Sequence, residues 1–253
     1  MEIQNLTFTN GLTFTSDNPI CSVVTNGLAV QLRPDSYPGS GTIWNDTQGN
    51  VNGTLINNPT YNNTTGFFFP QNTGQAQGVV LSSINGFTNF DRGTYSIEFW
   101  IRAASVSTNG NIVWKSFTQE FQPTPIPSPY IANWPGDFVN VVTWDAVGGG
   151  TNITTQTLET LMPSVWYQIV ATFDFNSLQM KLYVNGKQVP VVGNLADTVG
   201  TNGNNYPLYL ARTNQNFSHA FAGDIGIFRI YNKALTLREV KANFCADRSI
   251  FGL

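Results

Sequence analysis

The stretch YSIEFWIRA, residues 95–103, changes character at every step. Tyr95, Ile97, Phe99 and Ile101 form one apolar face, while Ser96, Glu98, Trp100 and Arg102 form a face that mixes charge with one large ring. A two-residue period of this kind predicts a β-strand with one side on a core. Shorter versions recur as GLAVQL, GTLI, GFFF, GVVLSS, NIVWKSF, FVNVVTWDAV, VWYQIVATFDF, MKLYVNGKQVPVV, YPLYLAR and GDIGIFRIY. Turn chemistry separates them, and YPGSGT, NDTQGN and NNPTYNN crowd residues 26–61. Two Asn-Gly pairs, Asn10-Gly11 and Asn185-Gly186, sit inside alternating runs. Both residue types tolerate the positive φ of a type I′ turn, so each pair predicts a hairpin.

The period shifts once, near the end. Thr236-Leu237-Arg238-Glu239 fits a capping box, with Leu235 and Val240 at the positions of a hydrophobic staple. Leu237, Val240 and Phe244 line one face, so a short helix is predicted to dock on the sheet edge or core. Many short strands, one helix and no βαβ alternation argue against a parallel α/β fold. The expectation is an all-β fold, a two-sheet antiparallel β-sandwich (jelly roll) with one short C-terminal helix. Residues 1–25 read as an N-terminal β-hairpin arm, 26–245 as the sandwich, and 246–253 as a C-terminal tail. Residues 122–137, QPTPIPSPYIANWPGD, hold five prolines, which cannot lie in a central strand. The segment 117–137 is therefore expected to be a surface insertion.

Composition narrows the function classes. Charged residues make up only 11% of the 253 positions and aromatics 13%, so solubility rests on amides and hydroxyls. A net charge of −3 offers no footprint for nucleic acid or an anionic membrane, and no apolar run is long enough to span a bilayer. The opening MEIQNLTFTNGLTFT has neither a basic start nor a continuous apolar core, which predicts no signal peptide. Cys21 and Cys245 are too few for a disulfide framework and too far apart for a metal knuckle. They are expected to be free thiols, with a bridge between the chain ends as the alternative.

Four pieces, taken in order, carry a family resemblance. They are GLAVQLRPDSYPGSGTIWNDTQGNVNGTLINNPTY, YSIEFWIRA, VWYQIVATFDFNSLQMKLYVNGKQV and FAGDIGIFRIYNKALTLREVKANF. Together they resemble the concanavalin A-like, or laminin G-like, jelly-roll family, in a variant similar to phage and large-virus structural proteins. The resemblance implies two antiparallel sheets of six or seven strands. Many relatives place an acidic residue where this chain has Gly226, as part of a structural calcium site. Glycine supplies no side-chain oxygen, and Asp224 alone is thin support for six to eight ligands, so no metal is expected.

Candidate chemistry is sparse. Glycoside hydrolysis needs two carboxyl groups straddling a sugar bond, and the family's hydrolases carry them closely spaced on one strand. Glu98 lies on such a strand but has no acidic residue two positions away, and His219 has no Ser/Asp constellation near it. No catalytic residue and no cofactor is expected. Trp100 and Trp166 fall inside alternating strands and are expected in the core. Tyr130, Trp134 and Trp144, with Asn133, Asp137 and Asp145 as polar neighbours, lie in or beside the proline-rich segment. They are the candidates for either glycan binding or subunit contact. Leu6, Phe8, Leu12 and Phe14 of the N-terminal hairpin need a surface to cover, as does the RSIFGL tail, and both suit contacts with a neighbouring subunit.

These observations lead to a non-enzymatic virion structural protein, such as a capsid decoration, minor capsid or fibre-associated subunit. Its expected partners are other capsid subunits and further copies of itself, and its expected location is the virion. The alternative is an extracellular carbohydrate-binding module or host-adhesion lectin that meets cell-surface glycans. A polysaccharide hydrolase ranks third.

Overall fold

The computed structural model describes residues 5–7, 13–15, 20–70, 76–85, 87, 90, 93–104, 110–115, 130–134, 138–144, 152–156, 161–190, 195, 207–212 and 220–253. The chain begins with β1 (Asn5–Thr7), β2 (Thr13–Thr15), β3 (Leu28–Leu32), β4 (Ile43–Trp44), β5 (Gly53–Ile56) and β6 (Thr60–Asn62). It continues with β7 (Gly66–Phe69), β8 (Gly78–Leu81), β9 (Thr94–Ala103), β10 (Gly110–Lys115), β11 (Tyr130–Trp134) and β12 (Phe138–Trp144). Then follow β13 (Asn152–Gln156), β14 (Trp166–Asp174), β15 (Gln179–Val184), β16 (Lys187–Val189), β17 (Leu208–Leu210) and β18 (Gly223–Tyr231). One helix, α1 (Leu237–Asp247), and a 3₁₀ turn over Arg248–Phe251 close it.

Two antiparallel sheets make the sandwich. The front sheet runs β13-β12-β11-β10-β17-β8-β5-β4, and the back sheet runs β16-β15-β14-β9-β18-β7-β6 with β3 also on β18. Their facing sides interdigitate as one core that includes Val79, Leu81, Ile131, Leu208 and Leu210 from the front and Ile97, Phe99, Ile169, Phe173 and Phe228 from the back. The alternation expected of residues 95–103 is met, because Tyr95, Ile97, Phe99 and Ile101 all lie in this core.

The back sheet has a second covered side. Its outward residues meet α1 and the 3₁₀ turn, giving a third layer built from the chain's end. Val170, Tyr183 and Tyr231 pack with Leu235 and Val240, while Trp100, Trp166 and Ile227 pack with Phe251. Phe251 stacks on Trp100 at 4.4 Å, so the tail expected to reach a neighbour packs on its own sheet instead. The capping box forms as expected, with Glu239 N donating to Thr236 Oγ1 at 3.3 Å and Thr236 N donating to Glu239 Oε2 at 2.9 Å. The predicted helix face is only partly met: Val240 is buried and Phe244 packs on Trp100, but Leu237 is 39% exposed.

The two hairpins differ instructively. At Asn185-Gly186 the two-residue turn forms, with φ of 48° and 75° and Val184 opposite Lys187. The N-terminal strands pair Leu6 with Phe14, one residue off the register that a two-residue Asn10-Gly11 turn would require. That register places Leu6 opposite Phe14, apolar against apolar. Phe8, Leu12 and the turn itself lie outside the described residues. The proline-rich segment also departs from expectation. Tyr130–Trp134 is a strand paired on both sides, made possible because Pro129 and Pro135 flank it and none falls within it.

Cys21 and Cys245 form a disulfide, with Cα atoms 4.9 Å apart across 224 residues of sequence, which overturns the expectation of free thiols. The cause is topological. Residues 20–28 run beside α1 on the back sheet's outer side, where Val24 N donates to Asn243 Oδ1 at 2.8 Å. Chain ends that are remote in sequence become neighbours in the third layer.

Candidate functional site

Glu98 is the residue a catalytic reading would need free. It lies on the outward side of β9, wholly buried beneath α1. Gln168 Nε2 and Arg229 Nη1 donate to its Oε1 at 2.7 and 3.2 Å, and Asn243 Nδ2 donates to its Oε2 at 2.7 Å. The same Arg229 Nη1 donates to Asp247 Oδ2 at 2.6 Å, and Arg33 Nη1 reaches Asp247 Oδ1 at 3.4 Å. Arg229 Nε donates to Gln31 Oε1 at 2.7 Å. Two carboxylates thus share one guanidinium, and Arg33, which also pairs with Asp35 at 3.0 Å, adds a second positive charge beside Asp247. Burial pushes the Glu98 carboxyl up, against the pull of Arg229. Burial opposes the charge on Arg229 too, but Glu98 and Asp247 outweigh it and raise its value further. This cluster joins helix to sheet and has no room for an oligosaccharide between its acids. Sequence reasoning saw Glu98 alone because its partners lie 131 and 145 residues away.

The positions weighed for calcium have structural employment. Asp224 Oδ2 accepts from Arg102 Nε at 2.9 Å. A Cβ on Gly226 would lie 2.5 Å from the Phe251 ring and 2.9 Å from the Thr65 carbonyl oxygen, so the missing side chain makes space for the C-terminal turn. Asp46, from the WNDTQGN motif, is saturated by backbone donors: Gln31 N and Gln48 N on Oδ1, Asn50 N and Val51 N on Oδ2. It shapes its loop as a carboxylate staple. Among the described residues, no three His, Cys, Asp or Glu side chains group to hold a metal ion.

The outer side of the front sheet is built differently. Strand pairing carries one position of each of its eight strands into a single cross-strand row: Ile43, Thr54, Val80, Tyr209, Trp114, Tyr130, Val142 and Thr154. Val79, Leu81, Leu208 and Leu210, at the opposite parity, are buried in the core. Ile43 is 41% exposed, Thr54 is exposed, and Val80 and Tyr209 are half-buried, so in β4, β5, β8 and β17 this parity faces outward. Tyr209, Trp114 and Tyr130 occupy three adjacent strands, β17, β10 and β11. Burial pushes the Tyr209 hydroxyl up, partly offset by Arg212. A second row, two residues along, holds Asn111, Ala132, Asn140 and Gln156. Lys115 is the one charged residue within the eight strands.

Register sorts the expected site residues. Tyr130, Trp134 and Trp144 fall at one register parity, that of the cross-strand row, Trp134 opposite Phe138 and Trp144 opposite Asn152. Asn133 carries the parity of core residue Ile131 and leaves the group. Asp137 and Asp145 lie outside the described residues, as does His219. Trp114 and Tyr209 were missed, although each is a ring in a strand already legible in the sequence, and register sets them opposite each other. Trp100 and Trp166 are buried as expected, beneath the helix layer rather than between the sheets.

A sandwich of two antiparallel sheets with a short C-terminal helix is the architecture of lectin-like jelly rolls. A family model described as the concanavalin A-like lectin/glucanases superfamily matches residues 73–241, more than half of the chain, and the protein belongs to that family. No curated protein sequence matches it. Among solved structures, it is similar to Trypanosoma rangeli sialidase, at 14% identity and a TM-score of 0.63 over 91% of this chain and 34% of that one. It is also similar to the binding domain of botulinum neurotoxin serotype D, at 15% identity and a TM-score of 0.62 over 86% of this chain and 51% of that one. The binding domain of botulinum neurotoxin DC, solved in complex with SialylT, aligns at 15% identity and a TM-score of 0.62 over 88% and 52%. The chain therefore spans about a third of the sialidase and half of the toxin domains, and the likeness is one of fold.

Proposed function

We propose that this protein is a non-enzymatic glycan-binding jelly roll, and that it binds through the outer face of the front sheet. The observation that carries this reading is the cross-strand row with aromatic residues at Tyr209, Trp114 and Tyr130 beside the amides of Asn111, Asn140 and Gln156. Aromatic rings match the apolar faces of sugars, and amides both donate to and accept from hydroxyls. The non-enzymatic part is supported by the engagement of Glu98 and Asp247 with a single guanidinium under α1. A toxin binding domain solved with SialylT supports sugar recognition as a use of this fold. The test is a glycan array with the wild-type chain and Tyr130→Ala. Binding that the substitution abolishes supports the reading, and silence across the array refutes it.

A second reading, as a virion structural subunit, draws on the N-terminal hairpin. Among the described residues, strands β1 and β2 form a two-stranded sheet of their own that pairs with neither sheet of the sandwich, and such a hairpin is marginal without a surface to cover. Homo-oligomers or capsid neighbours would supply that surface. A disulfide suits a protein that works outside a reducing compartment, which fits an exposed particle surface or the extracellular space alike. Mass spectrometry of purified particles tests this role, and absence of the chain from them removes it.

A further inference from the structure

The chain's net charge of −3 hides an imbalance that the fold makes local. From Arg229 to Leu253 five cations are set against two acids. We infer that the exposed side of α1, on the outside of the third layer, is a docking surface for an anionic lipid bilayer. It is a separate surface from the front sheet and does not depend on the glycan reading.

The helix builds this surface. Val240, Asn243 and Asp247 turn inward and are buried. On the other side Arg238, Lys241, Cys245 and Arg248 recur at helical spacing, which sets them in one stripe about 15 Å long. Arg238, Lys241 and Arg248 are all exposed. Among the described residues, none of the three has an acidic partner. The acids nearby are already matched. Glu239 Oε1 accepts from Lys233 Nζ at 2.5 Å, Asp35 Oδ1 accepts from Arg33 Nε at 3.0 Å, and the buried Asp247 is shared by Arg229 and Arg33. The stripe therefore carries uncompensated positive charge.

Exposed aliphatic side chains run beside it. Leu237 directly precedes Arg238. Leu253 N donates to the Arg248 carbonyl at 3.0 Å, which sets the exposed Leu253 at the far end. The disulfide supplies a third. Cys245 lies between Lys241 and Arg248, and its bond to Cys21 holds Ile20, 72% exposed, alongside the cations. Ile20 is more than 200 residues from Lys241 in sequence, and the bridge is what makes them neighbours.

This mixture selects the partner. A soluble polyanion matches the cations but gains nothing from three exposed aliphatic groups. An anionic bilayer meets both, with negative headgroups at its surface and acyl chains just beneath. Shape agrees with charge, because a helix laid on the outside of a sheet is a convex ridge. A deformable bilayer surface accepts such a ridge without a matching groove.

The experiment is co-sedimentation of the oxidised full chain with phosphatidylcholine vesicles, alone and with about 30% phosphatidylserine. The chain should pellet with the mixed vesicles, stay in solution with the neutral ones, and be released by about 0.5 M salt. Arg238→Glu combined with Lys241→Glu should weaken binding about 30-fold or more at an unchanged melting temperature. Ile20→Ser should weaken it about three- to tenfold and leave its salt dependence as it was. Failure to pellet with the mixed vesicles overturns the inference, as does equal binding to the neutral ones. Binding to heparin or duplex DNA that is as tight, and indifferent to Ile20→Ser, overturns it in favour of a site for soluble polyanions. These variants leave the front sheet untouched, so the glycan array decides the glycan reading separately.

Discussion

The two outer faces of this sandwich are opposites. The strands of the back sheet carry seven charged residues, Glu98, Arg102, Asp174, Lys181, Lys187, Asp224 and Arg229, whereas those of the front sheet carry one. Yet the charge-rich face is the one closed over, by α1 and the 3₁₀ turn, and the charge-poor face carries the outward row. In a sheet protein whose polar residues served solubility alone, the order would be reversed. The difference teaches that Glu98 and Arg229 work as internal joinery, while Lys181 and Lys187 stay exposed on the same sheet. Glu98 and Arg229 can be buried because a helix supplies Asn243 to donate to the carboxylate and Asp247 to accept from the guanidinium, although Arg229 Nη2 is left without a hydrogen-bond partner. The strands of the front sheet carry rings and amides in place of charge, which is the basis of the proposed glycan reading.

Perturbing each face separately should sharpen this contrast. The largest effect is expected from Arg229→Met, which strands two carboxylates without their shared counter-ion. Breaking such a pair costs roughly 3–5 kcal/mol, read by chemical denaturation, while glycan affinity of the folded fraction stays the same. Next is Cys21→Ser combined with Cys245→Ser. Removing a disulfide that closes so long a loop costs about 2–5 kcal/mol, and hydrogen exchange should locate the loosening in α1 and residues 20–28, not in the front sheet. Gly226→Ala should cost about 1–3 kcal/mol, because the new methyl meets Phe251 and the Thr65 carbonyl; Gly226→Ala with Phe251→Leu should recover part of it.

The smallest effect is one of pH. Burial raises the Glu98 carboxyl, so the native state holds that proton more tightly than the unfolded chain does. Its contribution is full below the ordinary glutamate range and declines as pH rises through the native value. Glu239 has the opposite sign: burial works to raise it, but Lys233 and Thr236 prevail and lower it, so its contribution is lost as pH falls through the depressed value. Denaturation midpoints measured against pH should show the high-side decline flatten in Glu98→Gln. Glycan affinity should be level across the same range, since the open face has no titrating strand residue other than its two tyrosines. An affinity that tracked the Glu98 titration would mean the two faces are coupled.

Several features were legible in the chain itself, and particular residues show why. Tyr95 to Ala103 announces a strand because alternation is local and needs no partner to be read. Thr236 and Glu239 announce a helix start for the same reason, as does Asn185-Gly186 a turn. Asn10-Gly11 marks the limit of local reading, because Leu6 pairs with Phe14, one residue off the register that a two-residue turn there would give. Tyr130–Trp134 marks another: five prolines in the surrounding stretch hid a proline-free strand that only its two neighbours make evident.

What tertiary structure decided is everything that depends on which strand lies next to which. Cys21 meets Cys245, Glu98 meets Arg229 and Asp247, and Gly226 lies beneath Phe251, each across more than twenty residues of sequence or from unrelated elements, except for the short step from β18 into the helix. The row through Tyr209, Trp114 and Tyr130 is of the same kind, since each ring is visible in its own strand but their adjacency is not. A strand's own residues dictate which side faces the core. Register between strands is set by the sum of many weak contacts over the whole sheet, and no local window contains that sum.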